Sequence, residues 1–546
     1  MTIWMRNYAK TVLFITLRCL SLLVLVSSLQ AQRINLDAAL AQELYFQYRM
    51  KDSASNRIHR SINLSDSLNF YDQSFQYGKT LHGDGNLREI RLLPLEQIIE
   101  YNSKHPFGWN NGSMLRSRGM QSLTRLGVWV KYDWLEIQLQ PEIVYSEQKA
   151  FDGFPIEYPT HIWRNRYITW QKIDYPERYL QKDTYEFLLG QTQLNLNVKG
   201  VLFGFSNRNF WMGPGVHQSL LMTNNARAFN RLFIETERPL NLGILKLYGQ
   251  LFGGLTRASN EQMAGELTVV YKKSPVKTNR DRYINGFQFA VQPTFLQGLT
   301  VGMNRAVHLY QDNVEEDFFP IFKNLFREND EGEIEVVGLD QVLSVYIDYW
   351  LFDNTANISI EYGRNDAAQN QRDLLLSPSH SFAYNLSFTK YQQLSRNRTL
   401  KLQFERTRFE STNKDFFRDA GSWYEHSWIR HGYTNFGEIL GSGIGLGSNL
   451  TFAEITFKKG NQAIGITTNY LAHDKNFRVE HIRNREDWTS ISYGIKFSKI
   501  LPLFTVDSQF NIVQSQNYQW LRADEFENID NSPINLFSRI NLQYNF

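Results

Sequence analysis

Past about residue 120 the chain alternates apolar and polar residues with a period of two, and nothing else in the sequence constrains its fold as tightly. Leu400, Leu402 and Phe404 fall on one face while Lys401, Gln403 and Glu405 fall on the other. Phe504, Val506, Phe510 and Ile512 oppose Thr505, Asp507, Gln509 and Asn511. Such alternation specifies strands of a sheet with one apolar and one polar face. A soluble β-sandwich satisfies that pattern as well as a membrane barrel does.

The connections separate the two. Asp133, Lys199-Gly200, Pro239 to Leu242, Phe295 to Gly298, Phe352 to Thr355 and Gly460-Asn461 read as tight turns, with the Gly, Asn, Asp and Pro that turns need. Between them lie long connections near 147–184, 211–230, 254–282, 311–337 and 410–448. Short turns at one end and long loops at the other are the layout of an outer-membrane barrel, not of a Greek-key sandwich. About seventeen strands are legible. A bacterial barrel needs an even number, which predicts about eighteen antiparallel strands, the missing one running upward between about 105 and 120. The alternating run Ile540, Leu542, Tyr544, Phe546 at the C-terminus resembles the signal by which such barrels address their insertion machinery, and its apolar face would meet outer-membrane lipids.

The N-terminal part reads differently. Arg6, Lys10 and an apolar run from Val12 to Val26, followed by Ser27-Ser28-Leu29-Gln30-Ala31, predict a signal peptide over 1–31. Arg6, Lys10 and Arg18 account for the whole formal excess of +3, so the mature chain is neutral and is not a nucleic-acid binder. Cys19, the single cysteine, lies in this leader, so disulfides and cysteine-bound metals are excluded. Helices are expected at Ile34 to Met50 and at Leu95 to Tyr101, which makes 32–104 a small helical periplasmic plug domain before a barrel over 105–546.

Motifs for catalysis and cofactors are missing: no His-Glu-x-x-His, no phosphate loop, no Gly-x-Ser-x-Gly. His426-Ser427 with Asp419 nearby suggests a hydrolase only weakly, because sequence neighbours seldom form a nucleophile–base pair. The acidic stretch Asp312, Glu315, Glu316, Asp317 and Glu328 to Glu335 reads as a solvated loop rather than a calcium site. No metal, cofactor or enzymatic activity is expected.

Two long connections carry the information. Asn207 to Gly215 holds the constrained turn Trp211-Met212-Gly213-Pro214-Gly215, and the run continues through Asn224, Asn225, Arg227 and Phe229. The other contains Trp423, Tyr424, His426, Trp428, Arg430, His431, Gly432 and Tyr433 and ends in the glycine run 441–447. Such density of amides, Arg and aromatics suits a binding surface, and it would equally suit a loop folded in to plug a pore. The first motif with Ser219-Leu220-Leu221 and Asn225-Ala226-Arg227, and the second with Leu440-Gly441 and the preceding Glu405 and Thr407, resemble the Wzi-type capsule-assembly outer-membrane proteins. The resemblance implies an eighteen-stranded barrel, closed below by a helical bundle, that acts as a non-enzymatic lectin for capsular or related surface polysaccharide.

Sugar recognition wants aromatic platforms beside amides and Arg forks. The expected contacts are Trp211, Asn224, Asn225 and Arg227 on the first loop, and Trp423, Trp428, Arg430, His431 and Tyr433 on the second, with Gly213, Pro214 and Gly215 shaping the turn. A porin is the alternative, since the inner face is polar. Oligomeric state is left open.

Overall fold

A computed structural model describes residues 78–83, 88–177, 182–237, 239–261, 280–314, 321, 338–352, 354–365, 371–412, 421–523, 525–527 and 529–546, with short strands at 33–34, 62–63, 68–70 and 73–75. The expected leader falls outside the described residues, as does nearly all of the helix at Ile34 to Met50.

Alternation does what the sequence pattern requires. Antiparallel segments run in sequence order around a closed barrel, and Ile534–Tyr544 shuts it by pairing with Leu95–Asn102, Ile540 opposite Ile99. On Arg398–Arg408, Thr399, Gln403, Glu405 and Thr407 are buried inside, whereas Leu402 and Phe404 stand exposed outside. On Phe504–Gln516, Thr505 and Asn511 face in while Phe510 and Ile512 face out. The arrangement is therefore inverted relative to a water-soluble sandwich. Each outward Leu, Ile or Phe would cost about 1.5–3 kcal/mol if left in water rather than covered. A belt of them, from Phe187 to Ile466, is physically sensible only against lipid. Exposed aromatics gather near both ends, Trp134 and Phe352 by the tight turns and Tyr101 and Tyr185 by the long loops, as membrane interfaces favour. No described helix is long and apolar enough to cross a membrane.

Two expectations are corrected. The closed sheet consists of 24 segments, not about eighteen uninterrupted strands. Several breaks have a local cause. Pro94 separates Arg88–Leu92 from Leu95–Asn102, and Pro141 separates Leu135–Leu139 from Glu142–Ser146, because proline offers no N–H to the ladder. Pairing resumes past each break: Leu95–Asn102 lies on Gly119–Arg125 and Arg88–Leu92 on Val128–Tyr132.

The second correction concerns Leu95 to Tyr101, which is a strand and not a helix. Glu96, Ile98, Glu100 and Asn102 point inward while Leu95 and Tyr101 point out. This run, with Arg88–Leu92, is the missing strand, so the barrel begins before the expected boundary at 104. Residues 105–118 form the connection after it, at the long-loop end.

Candidate functional site

The lumen is occupied at the long-loop end by the chain's own loops. Residues 207–230 turn inward, and two carboxylates on the barrel wall hold them there. Glu405 accepts hydrogen bonds from three successive backbone N–H groups, those of Val216 (2.8 Å), His217 (2.9 Å) and Gln218 (2.7 Å), and from Asn385 Nδ2 (3.0 Å). Glu361 accepts from Leu220 N (3.2 Å) and Ser344 Oγ (2.7 Å). Charge-assisted bonds of this kind are the strong ones, and here they also satisfy loop amides that the barrel has removed from water. Gly213 sits at φ 125°, and a Cβ there would run into Ser219 Oγ and Glu361. The Trp211–Gly215 turn thus serves close passage through the lumen.

Residues 421–448 lie across this loop. Thr223 N donates to Leu440 O (2.9 Å), Asn225 Nδ2 to Ile439 O (2.9 Å), and Tyr424 Oη to Leu220 O (2.7 Å). Arg282 on the wall donates to Gly432 O (2.9 Å) and to Arg257 O (2.9 Å). Gly443 has no room for a side chain, since a Cβ would collide with Asn225 and Trp109. Met212, Leu220, Leu221, Met222, Phe409, Trp423 and Tyr433 join one buried apolar cluster. The protein carries its conventional core inside the barrel mouth.

This placement corrects much of the expected contact surface. Trp211, Asn225, Trp423, His431 and Tyr433 are all at most 4% exposed. Trp423 donates its Nε1–H to Ser381 O (3.1 Å), His431 Nδ1 meets Tyr310 Oη (3.2 Å), and Tyr433 stacks on Tyr424. They are packed as parts of the plug. Arg227 is paired with Glu186 and lies over Phe436. Asn224 is half-buried, its carbonyl accepting from Gly112 N (2.7 Å), and Arg430 reaches Gln171 (3.5 Å). Trp428, 67% exposed, has a free ring. His426 is occupied in a turn, its Nδ1 accepting from Ile429 N (3.0 Å), while Asp419 lies outside the described residues. Asp312 of the acidic stretch is paired with Arg280 (2.8 Å); Glu315, Glu316, Asp317 and Glu328 to Glu335 lie outside the described residues.

One plug residue carries a pH-dependent load. Burial pushes the Glu425 carboxyl up to about 8, with Lys172 opposing and Asp474 and Glu480 adding to the shift. A carboxyl raised above its unfolded value contributes stability that is fully present below about pH 4.5 and is lost as pH rises through about 8. Glu425→Gln is therefore expected to raise the thermal midpoint at pH 9 and to leave it nearly unchanged at pH 5. Equal shifts at both pH values in a thermal melt would contradict this.

Beside the plug lies a pocket of about 1060 Å³, counting the part open to solvent. Five connections build it, through residues 105–109, Phe151 with Arg166 and 175–177, 443–448, 473–474 with Trp488, and Tyr518–Trp520. Trp488 stacks on His473 at 3.8 Å and meets Tyr518 and Trp520 edge-on. His473 Nε2 contacts Ser490 Oγ (2.9 Å), and His105 packs against Tyr518. Burial lowers His473 to about 3 and His105 to about 4, so both imidazoles are neutral at pH 7. Asp474 caps the helix Lys475–His481 by accepting from Phe477 N (3.1 Å), and burial raises its carboxyl to about 6. On the rim Arg116 holds Glu438 (3.0 Å), Tyr175 Oη (2.6 Å) and Gly443 O (3.0 Å). Sequence reasoning overlooked this pocket. Trp488 and Tyr518-Gln519-Trp520 were its one local signal, aromatic residues on two connections near the C-terminus.

No curated protein matches the chain by sequence. Among solved structures, the chain is similar to one described as Wzi, an outer-membrane protein involved in group 1 capsule assembly in Escherichia coli and a carbohydrate-binding β-barrel. That likeness has a TM-score of 0.53 at 11% identity and covers 83% of this chain and 85% of that one. OccK2 (OpdF) of Pseudomonas aeruginosa (TM-score 0.40, 8% identity, 84% and 97% covered) and a BenF-like porin from Pseudomonas fluorescens (TM-score 0.39, 8% identity, 84% and 98% covered) are more distant. The family profile described as capsule assembly protein Wzi matches residues 109–499, well over half of the sequence. The chain belongs to the Wzi capsule assembly protein family.

Proposed function

We propose that this protein is a non-enzymatic, lectin-like barrel of the outer membrane that holds capsular or related surface polysaccharide on the cell. The observation that carries the reading is a lumen sealed at the long-loop end by wall-anchored loops, with an aromatic pocket left open beside the seal. A diffusion channel needs an open lumen; a tether needs a rigid face. Family membership and the carbohydrate-binding relative of the same fold support it. Counting each broken run as one traverse gives about eighteen crossings, an even number that leaves both ends of the barrel on one side. The long loops then face outward from the cell. Residues 1–31 are a leader removed on export, and the segment up to about 87 stays in the periplasm. Trp428, Arg430 and Asn224 supply outer contacts to the polymer in addition to the pocket.

Deleting the gene is expected to shift surface polysaccharide from the cells to the culture medium, read by immunoblot of the two fractions. Polymer that stays as firmly cell-bound as before would defeat the proposal.

A further inference from the structure

The pocket wall says more about its occupant than the family does. Four of its buried polar side-chain atoms have no hydrogen-bond partner among the described residues: the indole nitrogens of Trp488 and Trp520, Nε2 of His105 and Oε1 of Gln519. His105, Gln519 and Trp520 are more than nine-tenths buried. Two of these groups donate. The other two accept, since His105 Nδ1 faces Pro106 O (3.3 Å), which places the proton there and leaves Nε2 bare. Leaving such groups unpaired is unfavourable, a cost that a partner hydroxyl removes. Aromatic surface adjoins them at Trp488, which is only half-buried.

The charges on the wall are already balanced from within. Arg116 is held by Glu438, Glu177 accepts from Phe154 N (2.9 Å) and Gln519 Nε2 (2.8 Å), and Asp474 is fixed at its helix cap. Arg166 lies over the Phe154 and Phe477 rings and within the field of Asp474. Three carboxyl groups thus accompany two guanidiniums, and both histidines are neutral. A further carboxylate would enter against a wall on which carboxyl groups already outnumber guanidiniums.

We infer that this pocket seats a single uncharged sugar residue of the polymer, its C–H face against Trp488 and its hydroxyls exchanging hydrogen bonds with Trp488, Trp520, His105 and Gln519. The inference rests on the polysaccharide-binding reading and narrows it: selection is by the neutral unit of the repeat, not by its charge.

Isothermal titration of the full mature protein in detergent tests it, with methyl glucoside and methyl galactoside set against methyl glucuronide and methyl galacturonide. The neutral glycosides are expected to bind at least about tenfold more tightly than the uronates. Trp488→Ala is expected to abolish that binding and Trp488→Phe, which keeps a ring but no N–H, to weaken it. Trp134→Phe, at the tight-turn end, is expected to change nothing. Retained heat-modifiable gel migration shows that each variant is folded. Uronates binding as tightly as neutral glycosides, or a folded Trp488→Ala that binds normally, would overturn the assignment. So would a protein that binds purified polysaccharide but none of the four glycosides. A protein that binds no polysaccharide at all would instead overturn the reading beneath it.

Discussion

Replacing Glu405 by Ala is expected to unfasten the plug and turn a sealed barrel into a conducting one. The substitution strands the N–H groups of Val216, His217 and Gln218 inside the barrel. Each unsatisfied amide costs about 1–3 kcal/mol, so the three together outweigh most single apolar contacts in the mouth. Asn385 Nδ2 loses its carboxylate partner too. Residues 212–222 should leave the wall, and the sheet, which keeps all its ladder hydrogen bonds, should survive. Single-channel recording in planar bilayers should show little current for the parent protein and discrete large steps for Glu405→Ala. Glu405→Gln, retaining one carbonyl oxygen but placing an NH₂ group among donors, should fall between them. A Glu405→Ala protein that stays sealed and as heat-resistant as the parent would show that the loop is held by something else.

The second large effect concerns the other face of the same wall. Ile466 lies midway along Gln462–Ala472 and points outward, 67% exposed. Arginine at the bilayer midplane costs about 2–4 kcal/mol in a transmembrane barrel. Ile466→Arg is accordingly expected to lower the urea midpoint for folding into lipid vesicles and to reduce the folded fraction on a heat-modifiability gel, while Ile466→Leu does neither. Its neighbour Thr467 faces the lumen at 1% exposure. An Arg at 466 tolerated as well as Leu would mean that this face meets water, and the lipid-facing argument would fail.

What the sequence discloses follows from how far apart the interacting residues lie. Alternation on Arg398–Arg408 or Phe504–Gln516 is legible because facing is decided residue by residue. Tight turns such as Lys199-Gly200 and Gly460-Asn461 are legible for the same reason, each carrying its own backbone requirement. Leu95 to Tyr101 misleads because Leu95, Ile98 and Ile99 fit a helical stripe as well as a short strand; pairing with Ile534–Tyr544, more than 400 residues away, decides the matter. The dense motif at 207–229 is visible as a motif, but its fate is not. Glu405, which draws the loop inward, lies 189 residues beyond Val216. Aromatics gathered for a plug look the same in sequence as aromatics gathered for a sugar, and Trp211, Trp423 and Tyr433 prove to be the former while Trp428 keeps an open face. The pocket is less legible still, because five connections each contribute only a residue or a few.

Purified surface polysaccharide titrated into the full mature protein in detergent, with tryptophan fluorescence as the readout, tests the account most directly. Saturable quenching, present in the parent and strongly reduced in a folded Trp488→Ala variant, is the predicted result. A parent protein whose fluorescence is unmoved by saturating polymer, alongside no sedimentation of the polymer with protein-bearing vesicles, would contradict it.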